Sequence, residues 1–96
     1  MATVIAGDFE WDQAKAEQNL STHGVAFEEA ATVFADPDAL YLDDGSGIGR
    51  FAIIGTSIRT RVLLVIHVGR GKRDRIISAR QATRTEEALY GERYTK

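Results

Sequence analysis

Basic side chains are concentrated in one stretch of this sequence, HVGRGKRDRIISARQATR at residues 67–84. Six of its eighteen residues are arginine or lysine, and of the eight bases from Arg59 to Arg84 only Lys72 is a lysine. The planar fork of a guanidinium group matches the oxygens of a phosphate, so this preference for arginine favours phosphate recognition over generic solubility. A solvated charged surface is the alternative for each of these residues taken singly.

The predicted secondary structure brings these bases together. VLLVIHV at residues 62–68 and RIISA at residues 75–79 are predicted strands, and the GRGKRD segment between them is a turn. Thr83 and Glu86 match a capping box that begins a terminal helix. Bases lie at the hairpin tip, at the strand ends and in the first turn of that helix: Arg59, Arg61, Arg70, Lys72, Arg73, Arg75, Arg80 and Arg84. A base in a first helical turn opposes the helix dipole, which suggests that an anion binds there.

Two histidines are candidates for proton exchange, because imidazole changes its charge near neutral pH. His67 ends the apolar strand and would act as a general acid or base if it shared a face with Arg61 and with Arg75 or Arg80. The alternative is a structural histidine packed on the sheet. His23 lies at a predicted helix C-terminus, where capping is the main interpretation and catalysis the lesser one.

Charge is divided unevenly between the two halves of the chain. Residues 1–49 contain ten acidic side chains and one base, Lys15, whereas residues 50–96 contain eleven bases and four acids. The formal net charge is only −2. Such a division indicates either a basic surface for a polyanion or two halves that neutralise each other within the fold.

Composition limits the classes of protein that this chain can belong to. Its 96 residues suit one domain with a modest core, and 44% hydrophobic with 27% charged residues is ordinary for a globular protein. Without cysteine, and with two histidines, there is no disulfide framework, no thiolate chemistry and only a weak case for a metal. No signal peptide and no membrane-spanning run is evident, so we expect a cytoplasmic protein.

The hydrophobic pattern predicts an α+β domain over residues 1–96. Two N-terminal helices are expected at Gln13–Thr22 and at residues 27–34, the first capped by Asp12. A three- to four-stranded antiparallel sheet and a C-terminal helix follow. The expected strands are residues 40–42, 51–55, 62–68 and 75–79, after a short extended segment near the N-terminus.

Long motifs in both halves resemble the BrnT family, the toxins of a bacterial type II toxin–antitoxin system. The N-terminal motif is FEWD, a lysine, an asparagine and then HGV-x-FEEA-x-x-VF-x-DP, which fall here at Phe9–Asp12, Lys15, Asn19 and residues 23–37. The C-terminal motif is RIISAR-x-ATR-x-E-x-x-x-Y at Arg75–Tyr90. The resemblance extends over nearly the whole chain.

This resemblance implies a compact fold similar to RelE-type toxins and an activity similar to ribonucleases that arrest translation. It implies a BrnA-like antitoxin, a ribbon–helix–helix DNA-binding protein that neutralises the toxin, with RNA as the substrate. A toxin homodimer or a two-plus-two complex with the antitoxin is expected on the same ground. No membrane partner, metal or cofactor is expected.

RNA cleavage without a metal needs proton exchange and cations that stabilise the dianionic transition state. The catalytic candidates are His67 for proton exchange and, as phosphate clamps, Arg61, Arg75 and Arg80. The expected RNA-binding residues are Arg59, Arg70, Lys72, Arg73, Arg84, Lys15 and His23.

Two positions depart from the family pattern. The family usually has lysine or arginine where this chain has Thr22, and often glutamate where it has Gly69. The second departure motivates an alternative function: a weak or inactive module that mainly binds its antitoxin and helps to regulate the operon. Direct DNA binding through the basic hairpin is a third hypothesis, although the resemblance gives that role to the partner.

Overall fold

The computed structural model describes residues 2–45, 47 and 49–92. Within these residues the chain forms six strands, three α-helices and one 3₁₀ turn. The strands are β1 (Thr3–Ala6), β2 (Phe9–Asp12), β3 (Leu40–Asp43), β4 (Phe51–Thr56), β5 (Val62–Arg70) and β6 (Arg73–Gln81). The helices are α1 (Gln13–His23), α2 (Phe27–Thr32) and α3 (Arg84–Gly91), and the 3₁₀ turn is Val33–Ala35.

The six strands make one mixed sheet in the order β1-β2-β6-β5-β4-β3. All neighbouring strands are antiparallel except β2 and β6, which run parallel where Glu10 lies beside Arg75. The predicted α+β class is confirmed, but the prediction of three or four antiparallel strands is wrong in number and in direction. Glu10 and Arg75 are 65 residues apart, and local periodicity cannot signal a pairing over that separation.

Local capping signals define the helix ends. The Asp12 carboxylate accepts a 3.1 Å hydrogen bond from the backbone N–H of Lys15 and so caps α1. Gly24 ends α1 with φ of 70°, a left-handed conformation that glycine adopts without strain. The predicted end at Thr22 was one residue short. The predicted second helix is divided into α2 and the 3₁₀ turn before Pro37.

The main core lies between the sheet and α1 and α2, on the side that we call the helix face. Trp11, Phe27, Ile53 and Val65 are at most 2% exposed there. Trp11 and Phe27 pack edge to face with ring centroids 6.0 Å apart. The alternation of β5 sends Leu63 and Val65 to this side, and the remaining apolar residues of β5 face the opposite side of the sheet.

The opposite side of the sheet is partly covered by α3. Thr83 and Glu86 form the predicted capping box, in which each side chain binds the backbone N–H of the other residue. Tyr90 is 6% exposed and packs on Ile54 and Leu64. Its hydroxyl donates a 2.5 Å hydrogen bond to Asp36, which joins α3 to the segment after the 3₁₀ turn. None of the described helices is long and apolar enough to cross a membrane.

Candidate functional site

An extra residue in β6 places two arginines on the same side of the sheet. Arg75 lies opposite Val68 and Arg80 lies opposite Leu64. Val68 and Leu64 are four residues apart on β5 and share a face, and residues paired across a ladder also share a face. Arg75 and Arg80 therefore point the same way although they are five positions apart, because the pairing shifts at a bulge around Ile77.

We call this side of the sheet, opposite α1 and α2, the arginine face. Arg75 donates a 2.6 Å hydrogen bond to the Glu10 carboxylate, and Arg70 approaches the same carboxylate at 3.8 Å. Glu10 is only 9% exposed. Sequence reasoning did not identify Glu10 as a site residue, because only the parallel pairing of β2 with β6 brings it beside Arg75.

Arg80 forms a bidentate ion pair with Glu86 at the edge of this face. Its two terminal nitrogens donate to the two carboxylate oxygens at 2.7 and 2.9 Å. The hydrogen bonds from Arg80, with help from the backbone N–H of Thr83, lower the pKa of Glu86 to about 2. A carboxylate with so low a pKa is a poor proton acceptor near neutral pH, so Glu86 has a structural role.

We expect this ion pair to stabilise the fold most above pH 4.5. Glu86 is depressed from an ordinary pKa of 4.5 to about 2, so its contribution declines as the pH falls between these values. The difference in unfolding free energy between wild type and Glu86→Gln should therefore shrink as the pH falls, and urea unfolding at several pH values measures it. A difference independent of pH would show that Glu86 is not held as an anion in the folded state.

His67 lies on the helix face, opposite Ile76. Its side chain is buried at 6% exposed, its Nδ1 is 3.0 Å from an Asp74 oxygen, and its ring meets Phe34 edge to face at 4.8 Å. Its Nε2 has no hydrogen-bond partner within the described residues. The sheet separates His67 from Arg75 and Arg80, so the shared face that a catalytic role required is not formed. The geometry is that of a histidine packed on the sheet.

Arg61 also lies away from the arginine face. Its Nε donates a 3.0 Å hydrogen bond to Glu29 of α2, and a terminal nitrogen reaches the other carboxylate oxygen. Ser57 donates to the same carboxylate at 2.6 Å. The bond from Arg61 lowers the pKa of Glu29. This cluster ties the start of β5 to α2, while Arg59 in the preceding turn is exposed.

The remaining predicted bases are distributed over three places. Lys72 and Arg73 are exposed at the β5–β6 turn, where Arg73 donates a 3.3 Å hydrogen bond to the Gly7 carbonyl. Arg84 is exposed in the first turn of α3. Lys15 and His23 lie on α1 and line a cleft between that helix and β6. The structure thus brings Arg70, Arg75 and Arg80 to one face and leaves Arg59, Arg61, His67, Lys15 and His23 elsewhere.

The two oppositely charged halves of the chain do neutralise each other in part. Arg61 binds Glu29, and both Arg70 and Arg75 lie near Glu10, so three bases of the second half meet acids of the first. Neutralisation between the two halves, one of the two alternatives that the charge distribution left open, therefore accounts for some of the positive charge in the arginine-rich stretch. No group of three or more histidine, cysteine, aspartate or glutamate side chains in the described residues is arranged to hold a metal ion.

Gly69, one of the two positions that depart from the family pattern, lies opposite Asp74 near the tip of the β5–β6 hairpin. A β-carbon built there would meet no atom within 4 Å, so a larger side chain would fit. Gly69 and His67 are two residues apart on β5 and share a face. A glutamate at this position would extend beside Asp74, on the side of the sheet away from Arg75 and Arg80.

Comparison with known proteins identifies the family. The sequence model of a family described as "Ribonuclease toxin, BrnT, of type II toxin-antitoxin system" matches residues 11–86. The fold is similar to a crystal structure of the Brucella abortus ribonuclease toxin, BrnT, with a TM-score of 0.62 and 23% sequence identity. That similarity covers 77% of this chain and 94% of the Brucella chain. No curated protein matches this sequence.

Proposed function

We propose that this chain, which belongs to the BrnT family of ribonuclease toxins of type II toxin–antitoxin systems, is a metal-independent endoribonuclease that inhibits translation. Residues 1–96 would act as a single toxin domain with a RelE-like fold, in the cytoplasm. A BrnA-like ribbon–helix–helix antitoxin would neutralise it. The convergence of Arg75 and Arg80 on one accessible face is the observation that supports this proposal best.

The arginine face suits the chemistry of RNA cleavage. In such a reaction the 2′-OH loses its proton to water as its oxygen attacks the adjacent phosphorus, and a dianionic transition state forms. The bond to the 5′ oxygen then breaks, and that oxygen takes a proton from water, which leaves a 2′,3′-cyclic phosphate and a 5′-OH. Guanidinium groups fixed by carboxylates need little reorganisation to stabilise that charge. Glu10 orients Arg75 and Glu86 orients Arg80, and the Arg80 side chain keeps 38% of its surface exposed to a ligand. Arg84 and the hairpin bases Arg70, Lys72 and Arg73 would bind neighbouring phosphates.

Electrostatic stabilisation is the main contribution of this face. Neither histidine of the chain lies on it, since His67 is under the helix face and His23 is on α1. Glu86 is too acidic to accept a proton readily near neutral pH. The arrangement of paired arginines therefore fits a catalyst that stabilises charge more than one that depends on a strong general base.

Purified protein is expected to cleave RNA in the presence of a chelator, and its expression without antitoxin is expected to stop growth. Gel analysis of a long RNA, with and without added magnesium, measures the first. Addition of the antitoxin should suppress cleavage if it covers the arginine face. RNA that stays intact across pH and salt, with the protein folded, would contradict the proposed activity.

The partner proposal follows from the same surface. An antitoxin that neutralises the toxin by covering the arginine face would need acidic side chains for Arg70, Arg80 and Arg84. Since ribbon–helix–helix proteins are dimers, a two-plus-two complex is the expected assembly, with a toxin homodimer as the other possibility. Measurement of the mass of the purified complex by light scattering distinguishes the two.

One observation favours a second candidate function, a module that mainly binds its antitoxin and helps to regulate the operon. Arg61, Arg75 and Arg80 each already have a carboxylate partner, so their presence is partly explained by folding alone. Antitoxin binding with RNA left uncut in the same buffer would support this candidate. Cleavage that the antitoxin inhibits would exclude it.

A further inference from the structure

A polar cleft lies between α1 and the edge of β6. Its volume is about 250 Å³. Its lining residues on the helix recur at the three- and four-residue spacing of one helical face. The cleft is lined by Lys15, Gln18, Asn19, Thr22, His23, Ile77 and Ser78.

Asn19 forms the floor of this cleft and holds its two sides together. Its amide nitrogen donates to the carbonyls of Val25 and Ala79 at 2.9 and 2.8 Å, and its oxygen accepts from the backbone N–H of Ala79 at 3.1 Å. The Asn19 side chain therefore makes the hydrogen bonds to the edge of β6 that the backbone of a neighbouring strand would otherwise make. Because α1 is fixed to β6 in this way, the cleft is formed before any ligand arrives.

The other polar side chains of the cleft bind no other part of the described protein. Lys15, Gln18, Thr22, His23 and Ser78 have no side-chain hydrogen bond or ion pair within the described residues. No carboxylate lines the cleft. This is the reverse of the arginine face, where Glu10 and Glu86 already bind the arginines. A concavity with a fixed floor and five polar side chains that bind no other part of the protein can accept a polar ligand without breaking an existing contact.

The basic side chain in the cleft favours an anionic ligand. Lys15 is the single base among residues 1–49, which otherwise hold ten acids, and it lies at this cleft. His23 is in the last turn of α1, beside Lys15 at the cleft. Lysine, glutamine, serine and threonine side chains are typical donors to the phosphates of a nucleic acid.

We propose that this cleft binds a phosphate group of the RNA backbone, at a position separate from the arginine face. Ser78 lies on β6 between Arg75 and Arg80 and also lines the cleft, so an RNA strand on the arginine face has a short path across the edge of β6. Lys15 supplies the charge, while Gln18, Thr22, His23 and Ser78 donate hydrogen bonds. This inference rests on the proposed function for the identity of the ligand.

Lysine placed in the cleft, Thr22→Lys, should strengthen RNA binding, and Ser21→Lys is the matched control. Both positions are exposed in the last turns of α1, but only Thr22 lines the cleft. With a 2′-O-methyl RNA that cannot be cleaved, the slope of log K against log salt should steepen by about 0.7 for Thr22→Lys and stay near wild type for Ser21→Lys. Lys15→Ala should reduce the slope by a similar amount. Equal slopes for the two lysine variants, or an unchanged slope for Lys15→Ala, would overturn the proposal.

A second measurement separates the RNA backbone from a free nucleotide as the source of the phosphate. The His23 ring resonances should shift on titration with the 2′-O-methyl RNA, and a mononucleotide at the same concentration should leave them in place. Equal shifts with both ligands would overturn the RNA-backbone assignment. Since neither measurement needs cleavage, a protein that leaves RNA intact but shows these shifts would refute the proposed activity and retain the cleft.

Discussion

Replacement of Asn19 by alanine is expected to lower the free energy of unfolding by about 3 kcal/mol, since each buried backbone group left without a partner costs about 1–3 kcal/mol. Asn19 is 6% exposed and satisfies the N–H and C=O of Ala79 and the C=O of Val25. Alanine can replace none of these bonds. The midpoint of thermal unfolding should fall by roughly 15 °C in a chain of this size.

Ser21→Ala is the control for this stability prediction, because Ser21 is exposed on the same helix and its side chain forms no hydrogen bond within the described residues. We expect it to change stability by no more than about 0.5 kcal/mol. Circular dichroism during heating and urea unfolding measures both variants. An Asn19→Ala protein as stable as Ser21→Ala would mean that water replaces the asparagine, and that α1 is held to β6 by packing alone.

Arg80→Ala is expected to lower the rate of RNA cleavage by about 100-fold or more, the usual cost of removing one preorganised group that stabilises transition-state charge. The guanidinium group of Arg80 is fixed by Glu86 and half exposed toward the arginine face. Lysine at this position keeps the charge but loses the planar fork, so Arg80→Lys should recover only part of the activity. Initial rates on a defined RNA substrate measure the series.

Glu86→Gln separates the catalytic role of Arg80 from a structural one. Both Arg80→Ala and Glu86→Gln remove the ion pair between β6 and α3, but only the first removes the proposed phosphate clamp. If Arg80 contacts RNA, Glu86→Gln, which keeps the guanidinium group but no longer fixes it, should lose clearly less activity than Arg80→Ala under conditions where both variants are folded. Equal losses in the two variants would show that Arg80 acts only by holding α3. Arg50→Ala, a change of the same charge before β4, controls for net charge.

Features that depend on neighbours in the chain were predictable from the sequence. The Asp12 cap of α1, the capping box of Thr83 and Glu86, and the end of α1 at Gly24 each depend on residues within one helical turn. The long apolar strand β5 was also predicted, because a continuous β-branched run is typical of a central strand. The helix and strand positions near these signals agree with the structure to within a few residues.

Features that depend on pairing between distant segments were not predictable. The place of β2 beside β6 brings Glu10 to Arg75 across 65 residues, and no local pattern encodes it. That Arg75 and Arg80 both lie on the side opposite His67 depends on the bulge in β6, which is visible only in the register with β5. His67 lay next to the basic stretch in the sequence, yet alternation along β5 puts it on the other side of the sheet.

The bulge at Ile77 has a consequence for how related chains should be aligned. His67 pairs with Ile76 and Ile66 pairs with Ser78, so β6 contains one residue more than its pairing with β5 requires. A relative that lacks this residue would keep every other side chain of β6 on its present side, with its two arginines four positions apart instead of five. Such a relative would share the arginine face but would lack Ile77 from the wall of the cleft. Insertions and deletions within β6 can therefore alter one proposed binding surface while leaving the other intact.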